Sequence, residues 1–421
     1  MINQREDSLL GPYRVLDLTD EKGVLCTKLM ADFGADVIKI EPPGGDPMRR
    51  IGPFYHDEPD PEKSLYWFAL NTSKRSITLD ITKPKGQQVL CQLAQTADFV
   101  IECFPPGHLD SLGLGYSALS EANPGLIMTS ITPFGQSGPY RDYKAADIVG
   151  LAMGGLLYLI GEPHRPPVRV RAQQAYAQAS VQALGGTMVA HYHRELTGEG
   201  QHVDVSMQEA VSNTLDTAQQ AWDLQRVIYR RAAPFRPLGD FLLRAVYPCK
   251  DGYVACWNPE QLESIRDWMD SAGVPYDEAE MARWIETRQR IADGLTTLKD
   301  EFDQQELTRM QETRVPLLAK LSRHEIYNEA LRRDFGWAPV NTPRDLVESP
   351  QLAARSYFVQ VEHPELGETI TYPGAPCKMT ETPWRIWRRA PLIGEQNHEV
   401  YVQELGMSET ELNRLRQAEV V

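Results

Sequence analysis

The sequence predicts an α/β protein: a large domain built on an open parallel sheet covered by helices on both faces, and a second, smaller α+β domain. Two observations carry the prediction. Short apolar runs alternate with helical stretches over the first third of the chain, and from about Val211 the sequence turns helix-rich and charged before strand and turn signals return near Ala338.

The elements follow in order. "YRVLDLT" and "ADVIKIE" are apolar runs about 20 residues apart. Between them "VLCTKLMADFG" has helical spacing, with Leu25, Leu29, Met30 and Phe33 expected on the buried side and Gly34 as the stop. That is one strand–helix–strand unit of a parallel sheet. The alternation continues through "SITLDI", helix "GQQVLCQLAQTA", strand "DFVIECF", helix "GYSALSEAN" and strand "GLIMTSITPFG". Charged helical sequence such as "NPEQLESIRDWMDSAGV" then surrounds short strands such as "GYVACW", and the chain ends with "YFVQVEHPELGETITYPGAP" and the helical tail "SETELNRLRQAEVV". The expected division is residues 1–210 as the first part of the large domain, 211–337 as the small domain with its linkers, and 338–421 as a return segment completing the large domain.

Composition narrows the function. With 421 residues, 42% of them hydrophobic, the chain is long enough to bury one large or two ordinary cores. A net charge of −15 argues against a nucleic-acid partner, since neutralising phosphates requires a basic surface. Six scattered cysteines without a CxxC pair argue against zinc ribbons and redox dithiols, so no metal is expected. His191 and His193 are two residues apart and do not share a helical face as metal ligands would; a structural role is expected of them. The opening "MINQREDSLLGPYRVLDLT" lacks the basic end and apolar run of a signal peptide, and no stretch reaches the roughly 18 apolar residues of a membrane span. A cytoplasmic protein without a membrane partner is expected.

A dinucleotide site is disfavoured. The turn after the first strand reads "DEKG" rather than GxGxxG, so no glycine pair lets the backbone approach a pyrophosphate. Glu41 then reads as an ordinary carboxylate at a strand end.

Several blocks, in order, resemble class III coenzyme A transferases, the carnitine dehydratase-like (CaiB/BaiF) family: "ADFGADVIKIEPPGGDPMR", "LNTSKRSITLDI", "PPGHLDSLGLGYSAL", "SITPFGQSGPYRD", "RELTGEGQHVDVSMQEAV", "YPCKDGYVACW" and "APLIGEQNHEVYVQELG". The resemblance spans roughly Gly11 to Val421. It implies a Rossmann-like large domain, a smaller second domain, and two chains threaded through each other as an interlocked two-ring dimer. It also implies transfer of CoA from an acyl-CoA to a carboxylic acid, with CoA as substrate and no covalently bound cofactor. In the family an aspartate attacks the thioester and the reaction proceeds through mixed anhydrides. That chemistry needs a nucleophile that is ionised at neutral pH and also leaves readily, which a carboxylate with a pKa of about 3.9 satisfies.

In the family this aspartate lies shortly after a "PPVRV"-like segment and before an "RTGxGQ"-like turn. Counting from Pro166 and back from Thr197 reaches Tyr176 without a gap. A phenol with a pKa of about 10 is ionised to about one part in a thousand at pH 7, a cost of roughly 4 kcal/mol before chemistry begins. Gln173, Gln174 and Gln178 are neutral amides, so no catalytic residue is assigned to this chain. Pro105 and Ser111 stand where many family members place arginines toward CoA phosphates, and Asp20, Glu21 and Lys22 crowd a loop that normally admits the thioester. The resemblance leaves Lys74, Arg75 and Arg141 as candidate CoA contacts; a Lys-Arg pair before a strand also reads as a solvated turn. Asp147 matches a family acid and is expected to fix local structure. The stripe Ala175, Ala179, Ala183, Gly186 and Ala190 is thin enough for close helix packing, in the core or at a subunit interface.

The pattern is most similar to the aspartate-lacking member of heteromeric succinyl-CoA:benzylsuccinate CoA-transferases of anaerobic toluene degradation. This implies a non-catalytic, structural subunit beside a homologous chain that carries the aspartate and binds most of the acyl-CoA and the acceptor acid. Two other readings stay open: a self-sufficient acyl-CoA enzyme with an atypical site, and a CoA-ester binding or regulatory protein.

Overall fold

The computed structural model describes residues 8–238, 240–257 and 261–421. Residues 1–7 of the opening stretch and residues 258–260, the start of one stretch read as helical, lie outside the described residues. The chain divides into two compact units: Met1–Leu157 with Arg169–Arg226 and Pro350–Val421, and Tyr158–Val168 with Val227–Ser349. The divisions at 226/227 and 349/350 replace expected ones at 210/211 and 337/338, and a short segment before the expected nucleophile position joins the smaller unit.

The larger unit is built on a six-stranded parallel sheet. Its first half comprises β1 (Arg14–Leu18), α1 (Val24–Asp32), β2 (Asp36–Glu41), α2 (Leu65–Leu70) and β3 (Arg75–Thr78). Its second half comprises α3 (Pro84–Ala94), β4 (Phe99–Glu102), α4 (Tyr116–Ala122), β5 (Ile127–Thr132), α5 (Asp147–Met153), α6 (Gln174–Thr197) and β6 (His202–Ser206). The spatial order is β3-β2-β1-β4-β5-β6. β3, β4 and β5 are buried along their whole length, as expected of strands covered on both faces. β6 was not foreseen as a strand. It is an edge strand, and its exposed His202 and Asp204 leave no apolar run to read.

The order reverses between β1 and β4, so the sheet has a switch point there, and the crevice outside the carboxyl ends of these two strands is where open α/β sheets take ligands.

α1 differs from its sequence reading. Met30 is fully buried, but Leu25, Leu29 and Phe33 are only half-buried, while Thr27 and Asp32 are at 0% exposure. The polar groups go inside because each has partners: Thr27 Oγ1 donates to Asp17 Oδ2 at 2.7 Å, and Asp32 accepts from Ser73 Oγ at 2.6 Å and Thr72 Oγ1 at 3.0 Å. Gly34 does end the helix, at φ +106°, and a Cβ there would lie 1.6 Å from Ser8 Oγ. The alanine stripe of α6 faces this unit's own core, with Ala175, Ala179, Ala183 and Ala190 all buried where the helix packs on α1, α5 and β5. The C-terminal return adds the antiparallel pair β12 (Phe358–His363) and β13 (Glu368–Pro373) and a final helix, Glu409–Gln417.

The smaller unit has a hairpin, β7 (Phe235–Leu238) with β8 (Phe241–Arg244), and an antiparallel sheet of β9 (Val246–Cys249), β10 (Gly252–Trp257) and β11 (Gly336–Pro339). Amphipathic helices bury Trp268, Trp284, Leu307 and Ile326 against Tyr247 and Trp337. Among the described residues no helix is long and apolar enough to cross a membrane, and no group of three His, Cys, Asp or Glu side chains is placed to hold a metal ion.

Candidate functional site

The switch-point crevice is floored by the end of β4 and walled by the loop 19–23 that follows β1. That loop is pressed close. A Cβ on Gly23 would lie 2.6 Å from Cys103 Sγ and 2.7 Å from Ile131 Cδ1, so only glycine fits. The loop is also tied to the head of α6: Gln173 Nε2 donates to Glu21 Oε2 at 3.1 Å, and Ser180 Oγ donates to the Lys22 carbonyl at 3.1 Å. Tyr66 on α2 closes the group by donating its hydroxyl to Gln173 Oε1.

Tyr176 stands in the first turn of α6, in the midst of this arrangement, and only 5% of its surface is exposed. Burial pushes its phenol above the ordinary value, and the carboxylates of Glu21, Asp20 and Asp147 push it the same way. The nearby Tyr66 phenol is raised by burial, then by Glu21 and Tyr176. Both rings are therefore neutral hydroxyls at physiological pH, and the ionisation cost exceeds that of a free phenol. Asp147, on α5, has a capping task, as its Oδ1 accepts from the backbone N–H of Ala175 at 2.9 Å and of Tyr176 at 3.3 Å. Its Oδ2 is buried and has no hydrogen-bond partner among the described residues.

The sequence missed Glu102. This last residue of β4 is 4% exposed, and burial pushes its carboxyl up to about 7, with Asp20 adding to the rise. Hydrogen bonds from Ser130 and from the Phe104 N–H (2.6 Å) work against the shift. Ser130 Oγ in turn lies 2.9 Å from His202 Nε2, and Glu102, Ser130 and His202 line a small cavity of about 150 Å³ together with Tyr116 and Gln136. A strand-end glutamate carries no sequence signal of this shift, because the responsible neighbours come from β1 and β5. Lys22 supplies the one cation of the loop. Burial disfavours its charged form, but its ion pair with Asp20 outweighs this and raises its pKa.

The candidate CoA contacts separate. Lys74 is at 0% exposure, with Nζ donating to Asp17 Oδ2 (2.8 Å), Thr27 Oγ1 (2.9 Å) and Asn71 Oδ1 (2.9 Å), so its three protons are engaged inside the fold. Burial lowers its pKa to about 8 against the pull of Asp17. Arg75 begins β3 at the opposite end of the sheet, held by Asp36 (2.6 Å), Glu399 (2.8 Å) and Glu404. The solvated turn is thus not what this pair forms. Arg141 lies beside the crevice, with Nη2 3.6 Å from where a Gly107 Cβ would be, on the turn after β4, and its side chain is 43% exposed. Glu41 is a structural carboxylate bound by Arg49 Nε (2.7 Å) and Nη2 (2.8 Å). The His191 ring packs edge-on to Tyr13 (4.5 Å) and Phe99 (5.6 Å), whereas His193 is exposed.

The crevice therefore offers three acids, Asp20, Glu21 and Glu102, against Lys22 within it and Arg141 beside it, with a neutral phenol at the head of the helix. This arrangement can position and exclude, but a thioester meets no free carboxylate where the α6 head would present one.

Comparison with known proteins places this geometry. The family model described as CoA-transferase family III matches residues 10–397. The chain is 36% identical to succinyl-CoA:(R)-benzylsuccinate CoA-transferase subunit BbsE of Thauera aromatica, covering 96% of each chain. It is 34% identical to formyl-CoA:oxalate CoA-transferase of Streptomyces avermitilis (98% of this chain, 99% of the relative). It is 30% identical to the succinyl-CoA–L-malate CoA-transferase alpha subunit of Chloroflexus aurantiacus (99% of this chain, 94% of the relative). A crystal structure of a CaiB/BaiF family protein from Brucella suis shares the fold, with a TM-score of 0.76 at 24% identity over 94% of this chain and 99% of that one. With the family matched over nearly its whole length, the chain belongs to CoA-transferase family III.

Proposed function

We propose that this chain is the non-catalytic subunit of a heteromeric CoA-transferase, paired with a homologous chain that carries the nucleophilic aspartate. The observation that carries the reading is Tyr176: a buried phenol with a raised pKa occupies the head of α6, fenced by Glu21 and Asp20. Acyl transfer through anhydrides needs an ionised oxygen acid at that place, and the crevice disfavours one.

A partner chain is supported by the outer side of α6. From Gln174 to His193 the helix has no Asp, Glu, Lys or Arg, and it exposes Val181, Val189, Tyr192 and Leu196 at 52–71%. Exposed apolar side chains gathered on one helix are a common mark of an interaction surface. Two relatives whose names call them subunits add to this support. Similarity to the first of these supports a complex that moves CoA from succinyl-CoA to benzylsuccinate; we take this as a cytoplasmic step of anaerobic toluene degradation. The partner then binds most of the acyl-CoA. In this chain we retain Arg141 as a contact to the CoA phosphates and assign Lys74 and Arg75 to the fold.

The experiment is a pair of substitutions in the assembled complex. Tyr176→Phe should leave turnover within about twofold of the parent, while replacing the partner's aspartate should lower it by at least about a thousandfold. A large loss from Tyr176→Phe would reject the reading.

A further inference from the structure

The small cavity that Glu102 lines lies beside α4, between the end of β4 and the edge strand β6. Its lining is of two kinds. Glu102 and Ser130, 4% and 2% exposed, supply hydrogen-bond acceptors, while Leu109 and Met128, 5% and 3% exposed, supply apolar surface. The Phe104 N–H, at 2.6 Å, and the Ser130 hydroxyl engage the Glu102 carboxyl. An ionised carboxylate offers about four lone-pair positions, so Glu102 can accept more than the fold gives it. Ser130 Oγ lies 2.9 Å from Nε2 of His202, whose ring stacks on Tyr116 at 5.7 Å. Burial lowers the pKa of His202, against the pull of Asp204 and Asp110, and raises that of Tyr116, so both rings are neutral at physiological pH. Among the described residues, Asp110 lines the cavity beside Glu102 and no lysine or arginine does. Asp20 and Lys22, on the loop after β1, act on Glu102 from outside the lining and are paired with each other.

These features select a ligand class. Both acids oppose an anion. A calcium or magnesium ion calls for a larger set of oxygens than one buried carboxylate, and among the described residues no group of three His, Cys, Asp or Glu is placed to hold a metal. A buried carboxylate without a cation neutralises itself by holding a proton, which is what the rise of Glu102 to about 7 expresses. A primary ammonium offsets the same cost with its own charge and N–H donors, and its carbon stem suits Leu109 and Met128. The room is sufficient: the cavity has about 150 Å³, a volume that holds a molecule as large as benzene.

We propose that this cavity binds a small primary ammonium, held by Glu102 and Ser130 with its short alkyl stem on Leu109 and Met128. Near neutral pH the exchange is balanced: the Glu102 carboxyl gives its proton to water, and the resulting carboxylate pairs with the ammonium, which keeps all three of its own protons. The inference goes beyond the heteromer reading and does not rest on it.

The test uses the full chain, with ethylammonium chloride as the probe and sodium chloride of equal concentration as the reference. An alkylammonium stays charged at about pH 6 and at about pH 8, whereas the ionised fraction of Glu102 rises from about one tenth to about nine tenths between them. Calorimetric titration should therefore show saturable binding that tightens about tenfold over that interval, with about half a proton released per ethylammonium near pH 7. In methyl-labelled protein, nuclear Overhauser effects should join the ethyl protons to the Leu109 and Met128 methyl groups, which locates the probe without any substitution. Glu102→Gln, checked for folding by circular dichroism, should weaken binding at least about tenfold at about pH 8 and remove its pH dependence. No saturable binding by the parent up to about 0.1 M probe overturns the proposal. Binding that ignores both pH and Glu102→Gln marks general attraction to an acidic chain and overturns it as well. Propionamide binding that is tighter at about pH 6, without ethylammonium binding, makes Glu102 a proton donor to neutral acceptors and likewise overturns the ammonium site.

Discussion

The two ends of the parallel sheet hold similar charged groups and treat them in opposite ways. At the amino end, Arg14 and Arg75 face Asp36 and Glu404, Arg75 also holds Glu399, and Asp98 meets Arg194 at 3.2 Å. Each carboxylate there has a guanidinium. At the carboxyl end, Asp20, Glu21 and Glu102 share the crevice with Lys22, Glu102 is pushed up to about 7, and two phenols are pushed above their usual range. The balanced end is architecture. The unbalanced end lies at the switch point, where the fold takes ligands, and its excess of acid opposes a polyanion rather than attracting it.

The comparison can be broken most forcefully in the interior between the two ends. Lys74→Met leaves Asp17 at 0% exposure with Lys39 3.7 Å away as its remaining cation. A loss of about 3–5 kcal/mol is expected in urea unfolding, and a loss under about 1 kcal/mol would mean that Lys74 is not a fold residue.

Next comes Glu102. Its carboxyl titrates near 7 in the folded chain against an ordinary value of 4.5, so the native state holds this proton more tightly than the unfolded one. The associated stability is complete below about pH 4.5 and is lost as the pH rises toward and through about 7, a total of about 3 kcal/mol. Glu102→Gln should remove this slope. Unfolding curves at about pH 5 and about pH 8 should show the parent losing about 2–3 kcal/mol more than the variant, and parallel losses would place the shift elsewhere.

At the amino end the effect should be smaller. Arg75→Met is expected to cost about 1–2 kcal/mol, and less in roughly 0.5 M salt, since its carboxylate partners are 26–46% exposed and Asp36 keeps Arg14. A salt-independent cost would mark packing rather than charge. Smallest of all, Tyr176→Phe should change stability by about 1 kcal/mol, because its ring fills the core and its hydroxyl gives up one hydrogen bond, the one from the Asp147 backbone N–H; a loss above about 2 kcal/mol in the same unfolding assay would make that bond a larger part of the fold.

Much of this was legible in the sequence, for identifiable reasons. Five of the six parallel strands announce themselves as apolar runs, whereas the proposal that Tyr176 takes the nucleophile's place rests on counting along the chain from Pro166 and back from Thr197. The rest depends on contacts across the chain. Lys74 and Arg75 read alike, yet their acidic partners lie 57 and 329 residues away, at Asp17 and Glu404, and successive strand residues point to opposite faces. Nor could spacing reveal that α1 turns Thr27 and Asp32 inward, since polar residues are buried only where partners wait for them. Glu102 stayed hidden for the same reason.

Trapping the acyl intermediate most directly tests the proposal that this chain supplies no nucleophile. Hydroxylamine added while the complex turns over, followed by mass spectrometry of both chains, should modify one aspartate of the partner and leave this chain unmodified. A hydroxamate on Asp147, Glu21 or Glu102 would contradict the account.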